Sequence, residues 1–305
     1  MESIILAGGT GNLGELLTEF LLKYGYSVVI LSRKEKKSSE QHVKYAVWDG
    51  ENIGSWTSDL ENAKAIINLS GESINQRFTE ENKKRILSSR IKPTKVIGEA
   101  IKTLNNPPEK WINISGISIF GDSYEEKDED SKSSGEDFLA RVSQEWERTF
   151  KSFNLPNTEQ LVVRLSPVLH PDFGLIKSLV PITKFGLGGK VATGKQFISW
   201  IHYEDFLRII HFLIQSKSDT TLYHAAAPEP VSNAAFMEKL RAELPIGFGL
   251  PLPSFAAKIG SFFMGTDSSL LLNSQRIVSK NLQKEGFIFN FPTLSLAFQN
   301  LLSSK

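Results

Sequence analysis

The sequence predicts an α/β protein: a doubly wound parallel sheet followed by a small, mostly helical C-terminal domain. Two observations carry that expectation. Short apolar runs bounded by turn residues alternate with stretches of helical spacing over the first two thirds of the 305 residues. Repeated strand–helix–strand units of this kind fold as a parallel sheet covered by helices on both faces. Composition agrees, since 40% hydrophobic and 23% charged residues describe an ordinary globular chain. At roughly 100–200 residues per domain, this length makes one large domain or two ordinary ones.

Each element has a local reason. Residues 3–7 are a short apolar run that stops at glycines, as a buried parallel strand does. Leu13, Leu16, Leu17, Phe20 and Leu21 recur at helical spacing over 13–24, and Gly25 supplies the stop. Further strands are predicted at 27–31, 43–47 and 65–69. A long helix over 79–104 opens at Thr79, with Glu80 and Glu81 in its first turn. A fifth strand at 111–115, a helix at 136–153 and a sixth strand at 160–165 follow. Gly186, Gly188, Gly189 and Gly194 mark a loop with unusual backbone angles. A helix at 203–216, a strand at 222–226 and a helix at 233–244 come next. Pro245, Pro251 and Pro253 punctuate a linker, and short helical patterns fill 254–305. The predicted division is therefore 1–245, with substrate-side segments after 170, and 246–305. The acidic run at 125–130 reads as a solvated loop.

Composition excludes several functions. The 35 basic and 34 acidic residues leave a formal charge of +1, which gives no reason to expect nucleic acid or an anionic membrane as partner. No cysteine is present, so disulfides, thiolate metal sites, iron–sulfur clusters and a cysteine nucleophile are excluded. No His/Asp/Glu spacing suggests a metal. The N-terminus lacks a basic region before its short apolar run, and no stretch of about 18 apolar residues occurs. A cytoplasmic protein acting on a small molecule is expected, with its oligomeric state left open.

Gly8, Gly11 and Gly14 lie between the first strand and the first helix. Glycines there allow a tight turn and a close approach of backbone to a pyrophosphate, while the helix N-terminus offers free N–H groups. The loop residues Thr10, Asn12 and Leu13 belong to the same expected dinucleotide site, so the fold is of the Rossmann type. The second strand ends in Leu31-Ser32-Arg33-Lys34 with no acid before Glu35. A basic residue there suits a 2′-phosphate, so Arg33 points to NADP (NADPH) rather than NAD; the other reading is a solvent-facing charge. The small residues Ser70 and Gly71, in Asn68-Leu69-Ser70-Gly71, leave room for the ribose and adenine. Asp49 is either an adenine partner or a turn residue.

Six runs then occur in order: Asn68-Leu69-Ser70-Gly71-Glu72-Ser73-Ile74, Ser89-Arg90-Ile91 with Thr94, Asp137-Phe138-Leu139-Ala140 with Trp146-Glu147, Phe185-Gly186-Leu187-Gly188-Gly189, Ser199-Trp200-Ile201-His202 with Asp205, and Ala227-Pro228 with Pro230-Val231. Together they resemble the epimerase-family proteins of the extended, atypical short-chain dehydrogenase/reductase superfamily. That group is of the NAD-dependent epimerase/dehydratase type with a C-terminal DUF1731-like domain, and the likeness runs from about residue 3 to about residue 300. The resemblance implies cofactor contacts from Ser32, Arg33, Leu69 and Ser70. It implies that Arg90 approaches the phosphates and that Pro167 and Val168 lie where such folds wrap the nicotinamide. It also gives His202 a structural role.

Active short-chain reductases usually carry Tyr-x-x-x-Lys, the tyrosine transferring the proton and the lysine lowering its pKa. None of the six tyrosines here has a lysine four positions later. In Ser115-Gly116-Ile117-Ser118-Ile119-Phe120-Gly121, Phe120 stands where the family usually has tyrosine, and Phe exchanges no proton. Ser115 remains as a hydroxyl beside the nicotinamide, or as a strand-end hydroxyl satisfied by backbone; Tyr124 is four positions beyond Phe120. Glu72 and Arg77 follow the fourth strand and form either a charged pair facing the substrate or part of a surface loop. Two functions fit: an NADP-dependent oxidoreductase or epimerase acting on a carbonyl or sugar-like molecule, or a cofactor-binding redox sensor or scaffold without turnover.

Overall fold

The computed structural model describes residues 1–217, 219–263 and 265–303, the side chains of 259–263 excepted. In chain order the first strands are β1 (Ser3–Ala7), β2 (Ser27–Ser32), β3 (Val43–Val47), β4 (Ala65–Asn68) and β5 (Lys110–Gly116). Then come β6 (Ser123–Lys127), β7 (Glu159–Leu165), β8 (Val168–Leu169), β9 (Phe197–Ile198) and β10 (Ile201–His202). The last are β11 (Leu222–Ala225), β12 (Val231–Ser232) and β13 (Gln275–Ile277). The helices are α1 (Asn12–Lys23), α2 (Glu80–Lys102), α3 (Phe138–Lys151), α4 (Gly174–Lys184) and α5 (Tyr203–Gln215). They continue with α6 (Asn233–Glu243), α7 (Ser254–Phe263), α8 (Ser269–Leu272), α9 (Lys280–Lys284) and α10 (Leu294–Leu302).

Seven strands form one parallel sheet in the order β11-β7-β5-β4-β1-β2-β3. The doubly wound Rossmann architecture is therefore present. Strand residues alternate between its two faces. Ile4 and Leu6 of β1 join Val28 and Ile30 of β2 in a cluster with Leu17 and Leu21 of α1 and Phe206 and Ile210 of α5. Ile5 and Ala7 join Val29 and Leu31 on the opposite face, against Val96 and Ile97 of α2 and Phe150 of α3. At about 25 cal/mol per Å² of apolar surface buried, these two layers are the main source of stability. Strand order reverses between β1 and β4, which pair with Ala7 opposite Asn68. The loops leaving these two strands part there, at the carboxyl end of the sheet, and open the crevice where ligands bind in such folds.

Several local expectations meet their physical cause. Thr79 accepts a hydrogen bond from Asn82 N and caps α2. Gly25 takes φ +81 just after α1. The loop expected at 186–194 is present, with Gly186 and Gly194 at positive φ.

Others need correction. Helix α4 lies outside the expected elements, because Pro181 stands inside it. The acidic run is not simply a solvated loop: 123–127 is strand β6, paired with β13 from the tail. Glu129 is buried and accepts from His224 N and Lys280 N, each at 2.9 Å. It thereby covers the free edge of β11, and burial pushes its carboxyl above the ordinary range. Leu294, Phe298 and Leu301 of α10 share one cluster with Leu169, Trp200, Phe236 and Leu240. The tail thus completes a core that begins at β8. Among the described residues, no helix is long and apolar enough to cross a membrane.

Candidate functional site

The site begins at the glycine loop. Gly8 holds φ +79, and a Cβ there would lie 2.9 Å from the Leu69 carbonyl carbon and from Ser70 N. At Gly8 the loop after β1 meets the backbone of the loop after β4. A Cβ on Gly14 would stand 2.4 Å from Gly9 Cα, so α1 can start this close only with glycine. Gly11 precedes the helix and caps it with no side-chain hydrogen bond. The first N–H groups, those of Asn12, Leu13 and Gly14, are thus left to a ligand at the positive end of the dipole. A Cβ on Gly11 would meet nothing nearer than Gly8 O at 3.7 Å.

Two cavities meet over this loop. Gly8, Gly11, Leu69, Ser70 and Gly71 line both. Ser70 Oγ is buried there without a hydrogen-bond partner among the described residues. A buried hydroxyl without a partner carries a free-energy cost, which a polar ligand would remove.

The first cavity, of about 710 Å³, runs from the loop past Thr10, Arg33, Trp48 and Asp49 to Arg85 and Lys92. Arg85 is held by Glu72 at 2.9 Å and Lys92 by Glu51 at 2.7 Å. Arg33 is exposed and makes no ion pair among the described residues, so its charge is available to a ligand. Ser32 is turned away: its hydroxyl donates to Lys34 O at 2.8 Å and fixes the turn that aims Arg33. Asp49 is a turn residue. Its carboxylate accepts from Glu51 N, Asn52 N and Asn52 Nδ2, and these hydrogen bonds, led by the Asn52 amide, hold its pKa down to about 2.

The second cavity, of about 640 Å³, is walled by the end of β5, one face of α3, and Leu165 to Val168. Asn12, Leu13, Pro167 and Val168 line it. The α3 face that would carry a Tyr/Lys pair presents Leu139, Val142, Ser143 and Trp146. Ser115 also lines the cavity, but its hydroxyl donates to Glu147 Oε1 at 3.0 Å. Glu147 in turn holds Arg164 through Nε at 2.7 Å and Nη2 at 2.9 Å, both side chains being buried. Burial raises the Glu147 pKa, but the hydrogen bonds and charge of Arg164, with Lys151 and the Ser115 hydroxyl, together outweigh it and the net shift is downward. Ser118 and Ser143, 3.1 Å apart, face the cavity with their protons uncommitted to a carboxylate, as do Ser70 at the junction, Ser73, and Ser166, which donates to Ala225 O.

Arg90 lines this cavity with its guanidinium already engaged by neutral groups. Its guanidinium donates to Ile86 O at 2.9 Å and Glu72 O at 3.1 Å, and lies 5.3 Å from the centre of the Trp146 ring. Burial pulls its pKa down to about 10. It props the Gly71 turn, where a Cβ would come within 2.9 Å of Arg90 Cζ.

The remaining candidates separate. The expected Glu72–Arg77 pair is replaced: Glu72 belongs to Arg85 and the first cavity, while Arg77 is exposed and its carbonyl accepts from Asn82 Nδ2. Phe120 is buried against Arg164 and His224, outside the second cavity's lining. Tyr124 is exposed on β6. His202 is structural: Nδ1 accepts from Glu204 N to cap α5, Nε2 meets Asn300 at 3.1 Å, and burial pulls its pKa down to about 4. Sequence reasoning missed Ser118, Ser143 and the Glu147–Arg164 pair. One signal was available, because an arginine inside an apolar strand requires a buried carboxylate. Among the described residues, no group of three or more His, Asp or Glu side chains stands where a metal could be held.

Comparison with known proteins places this architecture. Residues 4–142 match the NAD dependent epimerase/dehydratase family model, and residues 252–301 match a domain of unknown function, DUF1731. The chain is 31% identical to the Epimerase family protein YfhF of Bacillus subtilis over 99% of both chains. It is 29% identical to the Epimerase family protein SH2119 of Staphylococcus haemolyticus over the full length of both. Among solved structures it superposes on the human epimerase family protein SDR39U1 (isoform2) with NADPH, at TM-score 0.88 and 27% identity, over 99% of this chain and 100% of that one. It also superposes on the nucleoside-diphosphate sugar epimerase from Corynebacterium glutamicum, at TM-score 0.79 and 25% identity, over 99% of this chain and 58% of that one. With its glycine loop at the switch point and a relative at this identity along nearly its whole length, the chain belongs to the NAD dependent epimerase/dehydratase family.

Proposed function

We propose that this protein binds NADP(H) across the two cavities and acts as an oxidoreductase or epimerase on a small carbonyl or sugar-like molecule held in the second. The observation that carries this reading is the junction of the cavities. An uncapped helix N-terminus, glycines that admit a pyrophosphate and the partnerless Ser70 hydroxyl converge there. Arg33 favours the phosphorylated cofactor, because its guanidinium is uncommitted at the end of β2 where a 2′-phosphate would sit. The human relative, whose structure was solved with NADPH, supports the same choice. When bound, the cofactor supplies a hydride to a carbonyl carbon, or removes one from an alcohol carbon. The chain's residues then have separate tasks: Gly8, Gly11 and Gly14 seat the diphosphate, Pro167 and Val168 flank the nicotinamide end, and α3 closes the substrate side.

A second reading, a cofactor-binding sensor without turnover, is favoured by one observation: Leu139, Val142, Ser143 and Trp146 occupy the face where a proton-transferring Tyr/Lys pair would stand. The test is titration of the full chain with NADPH and NADH, followed by a turnover screen. Tighter binding of NADPH, and substrate turnover above a Gly11→Arg control, are expected. Equal affinities overturn the NADP assignment; binding without turnover selects the sensor.

A further inference from the structure

We propose that the second cavity takes a neutral carbonyl compound with an apolar body, its oxygen held by the Ser118–Ser143 hydroxyl pair, and that it does not accept a nucleotide sugar. The proposal rests on the cofactor reading above and narrows its substrate class.

Charge decides against the nucleotide sugar. Such a molecule brings a diphosphate, whose burial must be offset by free cations or many donors. Among the described residues lining the second cavity, Arg90 is the one basic side chain. Its guanidinium is already bonded to two backbone carbonyls and covered by Trp146. The one carboxylate of the lining is Asp137, which caps α3 by accepting from Ala140 N at 2.9 Å. A second diphosphate would therefore be desolvated next to a negative charge with no uncommitted cation facing it.

Shape and polarity favour an apolar carbonyl compound. Ile74, Leu139, Val142, Trp146, Phe173 and Leu270 contribute walls that bury hydrocarbon surface. Within them, Ser118 Oγ and Ser143 Oγ stand 3.1 Å apart. When one hydroxyl donates to the other, the proton of the second remains free to reach a ligand oxygen. Gly116 keeps space open beside the pair. Its backbone is ordinary extended chain, φ −129 and ψ 146, and a Cβ there would lie 3.2 Å from Ser118 Oγ and 3.5 Å from Ser143 Oγ. A neutral carbonyl asks only for such donors, and the apolar walls then strengthen the hydrogen bond.

The test uses the full chain and calorimetric titration, first with NADP⁺ and then, with and without saturating NADP⁺, with 4-phenyl-2-butanone, cyclohexenone and UDP-glucose. The expected result is saturable binding of at least one ketone and no binding of UDP-glucose at millimolar concentration. The double variant Ser118→Ala/Ser143→Ala should weaken the ketone roughly tenfold or more, as loss of its hydrogen-bond donors demands. NADP⁺ affinity should change much less than ketone affinity, because the first cavity and the glycines that seat the adenosine and diphosphate are lined by neither serine. Gly116→Ala, which crowds the pair without backbone strain, should weaken the ketone in the same direction. Saturable binding of UDP-glucose beside NADP⁺, failure of both ketones, or unchanged ketone affinity in the double variant overturns the proposal. Ketone binding in a chain that ignores NADP⁺ supports the cavity assignment and overturns only the cofactor reading.

Discussion

The two cavities share a floor and differ in chemistry. The first is edged by Arg33, Arg85, Lys92, Asp49 and Glu51, with two of its cations already paired and Arg33 unpaired. The second is walled by α3 and the β5 end, its one arginine taken up by carbonyls and its polar contacts mostly hydroxyls and amides. One region is built for a charged ligand that stays partly in water, the other for a ligand that leaves water. The first carries the charged side chains, while the second is walled largely by apolar ones.

Experiments can break or sharpen that contrast. The largest stability effect is expected from Glu147→Ala, which strands the buried Arg164. Unfolding free energy should fall by about 3–5 kcal/mol, read by denaturant titration. An unchanged midpoint would mean that the network under Ser115 is not the support of the second cavity. Gly11→Arg comes next. The position opens on both cavities, so the side chain should fill them and abolish NADPH binding with little change in melting temperature. A variant that still binds NADPH breaks the idea of a shared floor.

Arg33→Ala should touch the first cavity alone. Loss of a charge-assisted contact of about 1.5–3 kcal/mol predicts roughly 10- to 100-fold weaker NADPH, with NADH unchanged. If both cofactors weaken alike, Arg33 does not read the 2′-phosphate. Ser70→Ala should cost NADPH about 0.5–1.5 kcal/mol, while the apo chain, relieved of a partnerless hydroxyl, becomes no less stable.

A further effect lies outside both cavities. Burial pulls His202 and His224 from 6.5 down to about 4. Their folded pKa values lie below the unfolded one. The stability they lend is therefore complete above pH 6.5 and is lost as pH falls toward 4. Denaturation midpoints at about pH 7.5, 6 and 5 should decline in that order, and His202→Asn, which keeps a helix cap, should flatten the slope.

The sequence alone determined the sheet and the glycine-rich turn after its first strand. Strand burial, helical spacing and the glycine requirement at Gly8 and Gly14 are set by neighbours close in the chain, so they are written as local patterns. Arg33 is a local reading of the same kind, since it follows directly on a predicted strand. Only the tertiary structure decided the substrate end. Ser118 meets Ser143 across 25 residues, Ser115 meets Glu147 across 32, and Glu72 chooses Arg85 over the nearer Arg77. It also decided that Glu129 leaves its acidic run to cover an exposed strand edge, and that the tail shares the core of β8 and α6. Such partnerships follow from which faces the helices turn toward the sheet, and pairwise contacts at long separation leave no periodic trace in a single sequence.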